Sequence, residues 1–232
     1  MKETDFSEFK GFSKETLNFL TEVKLNNSKA WFEGHKTEYD KYLLNPLQQL
    51  TISLTPLINS IDPNIQISAK AGKTISRIYR DIRFSNDKSL YRDNAWISFK
   101  RKDNEQVNYP EFYLYFTPVH YEYGMGYYCA SKKVMDKFRE ILENDPEEFE
   151  QSITFFNDKE NKLEIFGDQY KKVVKNSAKD ELQTWFKFKT FAISKKSDID
   201  DVFFSQDIEK EIWAAFEKLK PLYWFLLKNT TE

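Results

Sequence analysis

The chain has 232 residues, and its 35 basic and 37 acidic side chains leave a formal charge of -2. That balance excludes a broad polyanion-binding surface, so wide nucleic-acid binding is not expected. A single cysteine, Cys129, excludes an internal disulfide framework and any cysteine-only zinc site, and no metal or other cofactor is expected.

Surface scaling buries roughly 73% of a chain of this size. Aromatics at 17% supply the apolar area for a core, so one globular domain over residues 1–232 is expected. The first six residues lack a signal-peptide shape. The longest apolar run, residues 222–227, is far too short to span a bilayer. A soluble, cytoplasmic protein without membrane contact follows as the expectation. Cys129, beside two tyrosines, reads as a small buried hydrophobe.

In chain order, Ser13 is an N-cap with Glu15 behind it, and Leu17, Phe19, Leu20, Val23 and Leu25 form an apolar helical face. Asn26 and Asn27 end this helix through the left-handed conformation that Asn tolerates. Ser28 caps a second helix carrying Trp31, Phe32, His35 and Tyr39, and Asn45-Pro46 restarts or kinks it. Apolar residues at helical spacing continue to about Ile61. The period then changes. Residues 64–70 alternate, and 95–101, 111–117 and 120–130 read as strands. Phe112, Leu114 and Phe116 share one face of the second, Tyr113 and Tyr115 the other. In the third, Gly124 and Gly126 signal a bulge or a close backbone approach. Short polar loops between these strands favour antiparallel pairing.

Helices follow from Ser131 and from Asp145-Pro146. A short strand is expected at 163–166, a helix at 182–188 and a strand at 190–194. A last helix spans 205–218, burying Ile208, Ile212, Trp213, Ala215 and Phe216, and Pro221 breaks or kinks the chain after it. Helices, then strands, then helices indicate an α+β fold: a central antiparallel curved sheet flanked by N-terminal and C-terminal helices.

The basic residues are unevenly divided. Only six are Arg, and four of these, Arg77, Arg80, Arg83 and Arg92, fall within 16 residues together with Lys88. A guanidinium fork binds carboxylate or phosphate bidentately and stacks on aromatic rings, which an ammonium does less well. Two readings stand side by side. In one, Asp81, Asp87 and Asp93 neutralise the arginines in an internal ion-pair lattice. In the other, the block lines a pocket for an anionic group.

Asn27, Trp31, His35 and Tyr39, four residues apart, are a second constellation: core packing, or a His35 that lines the same cleft. The tyrosines of the strands, Tyr113 and Tyr115 among them, are a third: inner sheet layer, or stacking faces beside the arginines.

The block Arg77-Ile78-Tyr79-Arg80-Asp81-Ile82-Arg83-Phe84-Ser85-Asn86-Asp87-Lys88 resembles the signature of an uncharacterised family, domain of unknown function 2461. Asn26-Asn27 followed after three residues by Trp31-Phe32 resembles it too, as do Phe9-Lys10-Gly11-Phe12, the Tyr-rich segment 113–118, and Gly124-Met125-Gly126-Tyr127. Leu90 stands where the family often has Pro, and Arg92 where it has Lys. The resemblance implies a widespread soluble domain with no assigned reaction.

The function expected is binding of a small phosphate- or carboxylate-bearing ligand in an Arg/Tyr-lined cleft. The candidate residues are Arg77, Arg80, Asp81, Arg83, Lys88, Tyr91, Arg92, Asn27, Trp31, His35, Tyr113 and Tyr115. The alternative is a structural or protein-interaction domain. Weaker alternatives are a hydrolase or transferase with His35 or Asp81 as base, or a nucleic-acid-associated protein.

Overall fold

The computed structural model describes residues 8–83, 86–101, 109–172 and 174–230. Helices α1 (Lys14–Leu25), α2 (Lys29–Gly34), α3 (Lys36–Glu38) and α4 (Asn45–Ile61) precede strands β1 (Ala95–Phe99), β2 (Glu111–Phe116) and β3 (His120–Gly126). Helices α5 (Lys132–Asn144) and α6 (Glu147–Ser152), strands β4 (Glu164–Phe166) and β5 (Ala192–Asp198), and helix α7 (Asp207–Thr230) follow. The strands form one five-stranded antiparallel sheet in the order β1-β2-β3-β5-β4, so the chain is an α+β protein with flanking helices. Among the described residues, no helix is long and apolar enough to cross a membrane.

By their internal packing the residues fall into two compact units. Unit 1 holds Met1–Phe99, Tyr113–Glu122 and Lys196–Trp213; unit 2 holds Lys100–Phe112, Tyr123–Lys195 and Ala214–Glu232. The division falls inside β2, β3, β5 and α7.

Unit 1 is organised by its capped helices. Ser13 accepts from the Thr16 amide while Thr16 Oγ1 accepts from the Ser13 amide, a reciprocal capping box that satisfies two N-terminal donors of α1. Phe19, Leu20 and Val23 are buried, but Leu25, one position beyond the stripe, is 72% exposed. The helix ends at Asn26 with φ -115°, not in the left-handed region; the Asn26 amide instead closes the last turn on the Glu22 carbonyl at 2.9 Å. His35 breaks the expected continuous second helix, and residues 39–44 form a wider π-helical turn before Pro46 starts α4. Phe12 stacks on Phe203 at 4.7 Å and meets Phe116 at 4.8 Å. Gly11 makes this possible. Its φ is +105°, and a Cβ there would lie 2.5 Å from the Phe204 carbonyl.

The alternation at residues 64–70 does not make a regular strand. Ile65 is buried, but the segment turns through Gly72, and residues 74–76 close the outer edge of β1. The Ser76 amide donates to the Trp96 carbonyl at 2.9 Å, the Ser98 amide to the Thr74 carbonyl at 2.8 Å, and Ile75 bridges Ile97.

Unit 2 is an aromatic core. Phe112 meets Phe216 and Tyr223 at 4.9 and 5.0 Å, and Phe149 meets Trp185 and Phe138 at 4.8 and 5.3 Å. The segment expected as helix near 182–188 is a 3-10 helix over Asp180–Lys187, and β5 runs further than the sequence suggested. Pro221 does not break α7, which continues to Thr230. A mid-helix proline costs about 3 kcal/mol, and burial of Leu222, Tyr223, Phe225 and Leu226 outweighs it. Cys129 is exposed rather than buried, because it lies just beyond β3, past the last residue that the sheet covers.

Candidate functional site

The arginine block is neither helix nor regular strand. Tyr79 and Tyr91 form an isolated antiparallel bridge. The Arg80 amide donates to the Leu90 carbonyl at 2.9 Å and the Arg92 amide to the Ile78 carbonyl at 2.8 Å. Side chains alternate across such a pair. Arg80 and Arg92 therefore leave one side of it, with Ile78 and Leu90, while Tyr79 and Tyr91 leave the other. Phe84, which a strand would set beside Ile78 and Ile82, lies outside the described residues, as do residues 1–7.

Asn27 holds this pair in place. Its Oδ1 accepts from the Leu90 and Tyr91 amides at 2.6 and 3.0 Å, and its Nδ2 donates to the Tyr91 and Val23 carbonyls at 2.9 and 3.0 Å. The whole amide is thus committed to backbone.

Within the loop, opposite charges meet. Arg83 donates through Nε and Nη2 to the two oxygens of Asp81 at 2.9 and 2.7 Å, and this fork holds the Asp81 carboxyl well below the usual range. Both side chains are exposed. Arg80 Nη1 lies 3.1 Å from Asp87, whose other oxygen accepts from the Ser89 amide and hydroxyl. Lys88 donates to the Ile82 carbonyl at 2.9 Å. Arg77 is exposed and its stem lies against Gly72, where a Cβ would come within 3.0 Å.

The aromatic candidates go elsewhere. Tyr91 is buried and stacks on Phe32 at 4.5 Å. Tyr79 contacts both rings; burial, with Asp40 and Tyr79, pushes the Tyr39 phenol up to about 12, and burial, with Tyr79, raises that of Tyr91. Trp31 stacks on His35 at 4.1 Å, and His35 Nδ1 donates to the Trp31 carbonyl at 2.7 Å. Asn27 and Phe32 therefore brace the block, while Trp31 packs on Phe19 and His35.

The other group gathers around Arg92. Its guanidinium lies 4.8 Å from the centre of the Trp96 ring, a cation–π contact. Asp93 pairs with Lys24 at 2.9 Å. Burial pushes Asp93 up, but the hydrogen bond and charge of Lys24, with Arg80 behind, hold it below the ordinary range. Tyr115 lies in the field of Asp93, Glu122 and Arg92, and burial raises its phenol first, the two carboxylates next.

The sheet explains that meeting. The Thr117 amide donates to the His120 carbonyl at 2.9 Å, so a two-residue turn joins β2 to β3 and sets Tyr115 opposite Glu122. Along β3 and β5, Gly124 abuts Ser194 and Gly126 abuts Ala192, which by the two-residue step sets Glu122 opposite Lys196. Tyr113 shares the half-buried face of β2 with Tyr115, behind which Phe112, Leu114 and Phe116 are buried.

The structure thus brings Arg80, Arg92 and Tyr115 into one charged neighbourhood. It sets Arg83, Asp81 and Lys88 at the exposed tip of the loop, and gives Tyr91, Trp31, His35 and Asn27 packing and bracing roles. Sequence reasoning named Asp93 as a partner of the arginines, whereas it pairs with Lys24 and only feels Arg80; it missed Trp96 and Glu122. The signal for Glu122 was the alternation of His120 and Glu122 against buried Tyr121 and Tyr123, read across the turn at Pro118-Val119. Among the described residues, no three His, Cys, Asp or Glu side chains gather as a metal site.

Glu122 carries a pH prediction. Burial raises its carboxyl above the ordinary value, with Lys196 opposing. A group raised in the folded state contributes stability that is present below its unfolded value and lost as pH rises through the folded one. Glu122→Gln is therefore expected to raise Tm near pH 7 and to give no gain near pH 4. A pair of thermal melts at those pH values checks it; equal Tm differences at both would refute the assignment.

A family model described as "Conserved hypothetical protein (DUF2461)" matches residues 15–225, a span that contains every candidate residue named above. No curated protein matches the chain.

Proposed function

We propose a function for a chain that belongs to the conserved hypothetical protein family DUF2461: it binds a small phosphate- or carboxylate-bearing ligand between Arg80 and Arg92, with Tyr115 as a hydroxyl partner. The observation that carries this reading is the departure of both arginines from one side of the Tyr79–Tyr91 pair, each half-buried. A half-buried guanidinium is a stronger anion ligand than a fully solvated one, because water competes less. Trp96 fixes the plane of Arg92, which lowers the ordering cost of binding. Arg77, Arg83 and Lys88 form the exposed rim, where they steer anions rather than clamp them.

The test is calorimetric titration with inorganic phosphate and with adenosine monophosphate. Arg80→Ala and Arg92→Ala are each expected to weaken binding about 10-fold or more, the loss of a charge-assisted hydrogen bond. Arg83→Ala, whose fork is already filled by Asp81, is expected to change it less than about 3-fold. Equal affinity for wild type and folded Arg80→Ala overturns the proposal.

A second reading rests on the Arg83–Asp81 and Arg80–Asp87 pairs: the block is a structural ion-pair loop. It requires Arg80→Ala to lower Tm while phosphate binding stays unchanged or absent. Two further parts of the proposal are a single domain, supported by β2, β3, β5 and α7 each supplying residues to both units, and a cytoplasmic location, supported by the lone Cys129.

A further inference from the structure

Unit 2 contains a cleft of about 410 Å³ that the anion site does not use. Its walls mix apolar and aromatic residues, Phe156, Ile165, Leu182 and Trp185 among them, with polar ones such as Thr154 and Asn157, and its volume falls in the range of small-ligand sites. The charged residues that line it are both acids, Glu150 and Glu181. Lys179 reports the field at this mouth. Its ammonium donates to both oxygens of Glu150 at 2.8 and 3.0 Å and also feels Glu181 and Glu147. One ammonium is thus held by Glu150 at the cavity, and Glu181, the other acid of its lining, makes no ion pair of its own among the described residues.

We propose that this cleft binds an organic ammonium ion, its aromatic or alkyl body against Phe156 and Trp185 and its cationic head toward Glu150 and Glu181. The apolar walls supply the affinity for the body, and the acids decide the sign of the head group. An anion of the same shape meets repulsion there. A cation adjacent to Trp185 or Phe156 also gains from the ring quadrupole. The ligand class is opposite in charge to that of the arginine site, so the two proposals stand or fall separately.

The experiment uses the full chain and three probes with one body: phenethylammonium, phenethyl alcohol and phenylacetate, titrated by calorimetry, with the Ile165 methyl resonance as a locator. Phenethylammonium is expected to bind tightest and to shift Ile165. Glu181→Gln is expected to weaken it about 3-fold, and Lys179→Gln, which frees Glu150, to strengthen it about 3-fold, as fits half-exposed charge pairs. Neither variant is expected to change the alcohol. Both positions are at the surface, so the variants keep the fold. Alcohol binding equal to the ammonium, tighter phenylacetate, or no shift at Ile165 overturns the proposal.

Discussion

Replacing Gly124 with alanine is expected to cost about 3 kcal/mol or more, a large share of the 5–15 kcal/mol that stabilises most domains. An ideal Cβ on Gly124 would lie 2.0 Å from the Ile193 carbonyl oxygen and 2.6 Å from Ser194 Cα. Both obstacles are backbone, so no rotamer change relieves them. β5 has to move away from β3, and overpacking strain then adds to weakened ladder hydrogen bonds at about 1 kcal/mol each. Gly126 faces Ala192 in the same way, with a Cβ only 2.3 Å from its Cα. Gly34 is the control, because a Cβ there meets nothing within 4 Å. Gly34→Ala is expected to be neutral or to stabilise by a few tenths up to about 1 kcal/mol through helix propensity. Denaturant melts of the three variants check this ranking. A Gly124→Ala protein within 1 kcal/mol of wild type would contradict the close approach of the strands.

Asn27→Ala is the second large effect. Four hydrogen bonds leave one side-chain amide, and three of them reach residues 63 or 64 positions away. Alanine leaves the Leu90 and Tyr91 amides and two carbonyls to find other partners, at roughly 0.5–1.5 kcal/mol each. The expected loss is about 2–4 kcal/mol, which for a chain of this size lowers Tm by roughly 4–16 °C. Asn27→Asp keeps the two acceptor contacts but sets a negative charge against the Val23 and Tyr91 carbonyls, so it does not rescue. If Asn27→Ala melts with wild type, Asn27 does not pin the loop.

These two positions also show what was legible in the sequence. Gly124 and Gly126 were readable as a close approach because glycine inside an alternating strand has few other uses. Ser13, Ser28 and Ser131 each cap a helix where expected, since capping is a local event settled within three residues. The β2 alternation placed Phe112, Leu114 and Phe116 in the core and left Tyr113 and Tyr115 half-exposed. Positions fixed by distant contacts were not legible. Asn27 suited both a helix end and a ligand site, and only its partners at Leu90 and Tyr91 show its bracing role. The arginine block has no regular period because its shape comes from one bridge, an Asx turn at Asp87 and that remote amide. Trp213, placed by helical periodicity in the buried face of α7, is 38% exposed, because its neighbours Ile212 and Phe216 already fill the inward positions.

The two ends of the sheet bear on how the molecule behaves at high concentration. An unpaired strand edge is a template on which another chain can extend a sheet. On β1 the outer edge is already occupied by residues 74–76, and on β4 the terminal strand is only three residues long and begins with Glu164. Neither end offers the long, flat, uncharged row of amides and carbonyls that seeds aggregation. For a protein so rich in phenylalanine and tyrosine, that economy at the borders of its sheet protects it from adding a second copy strand by strand.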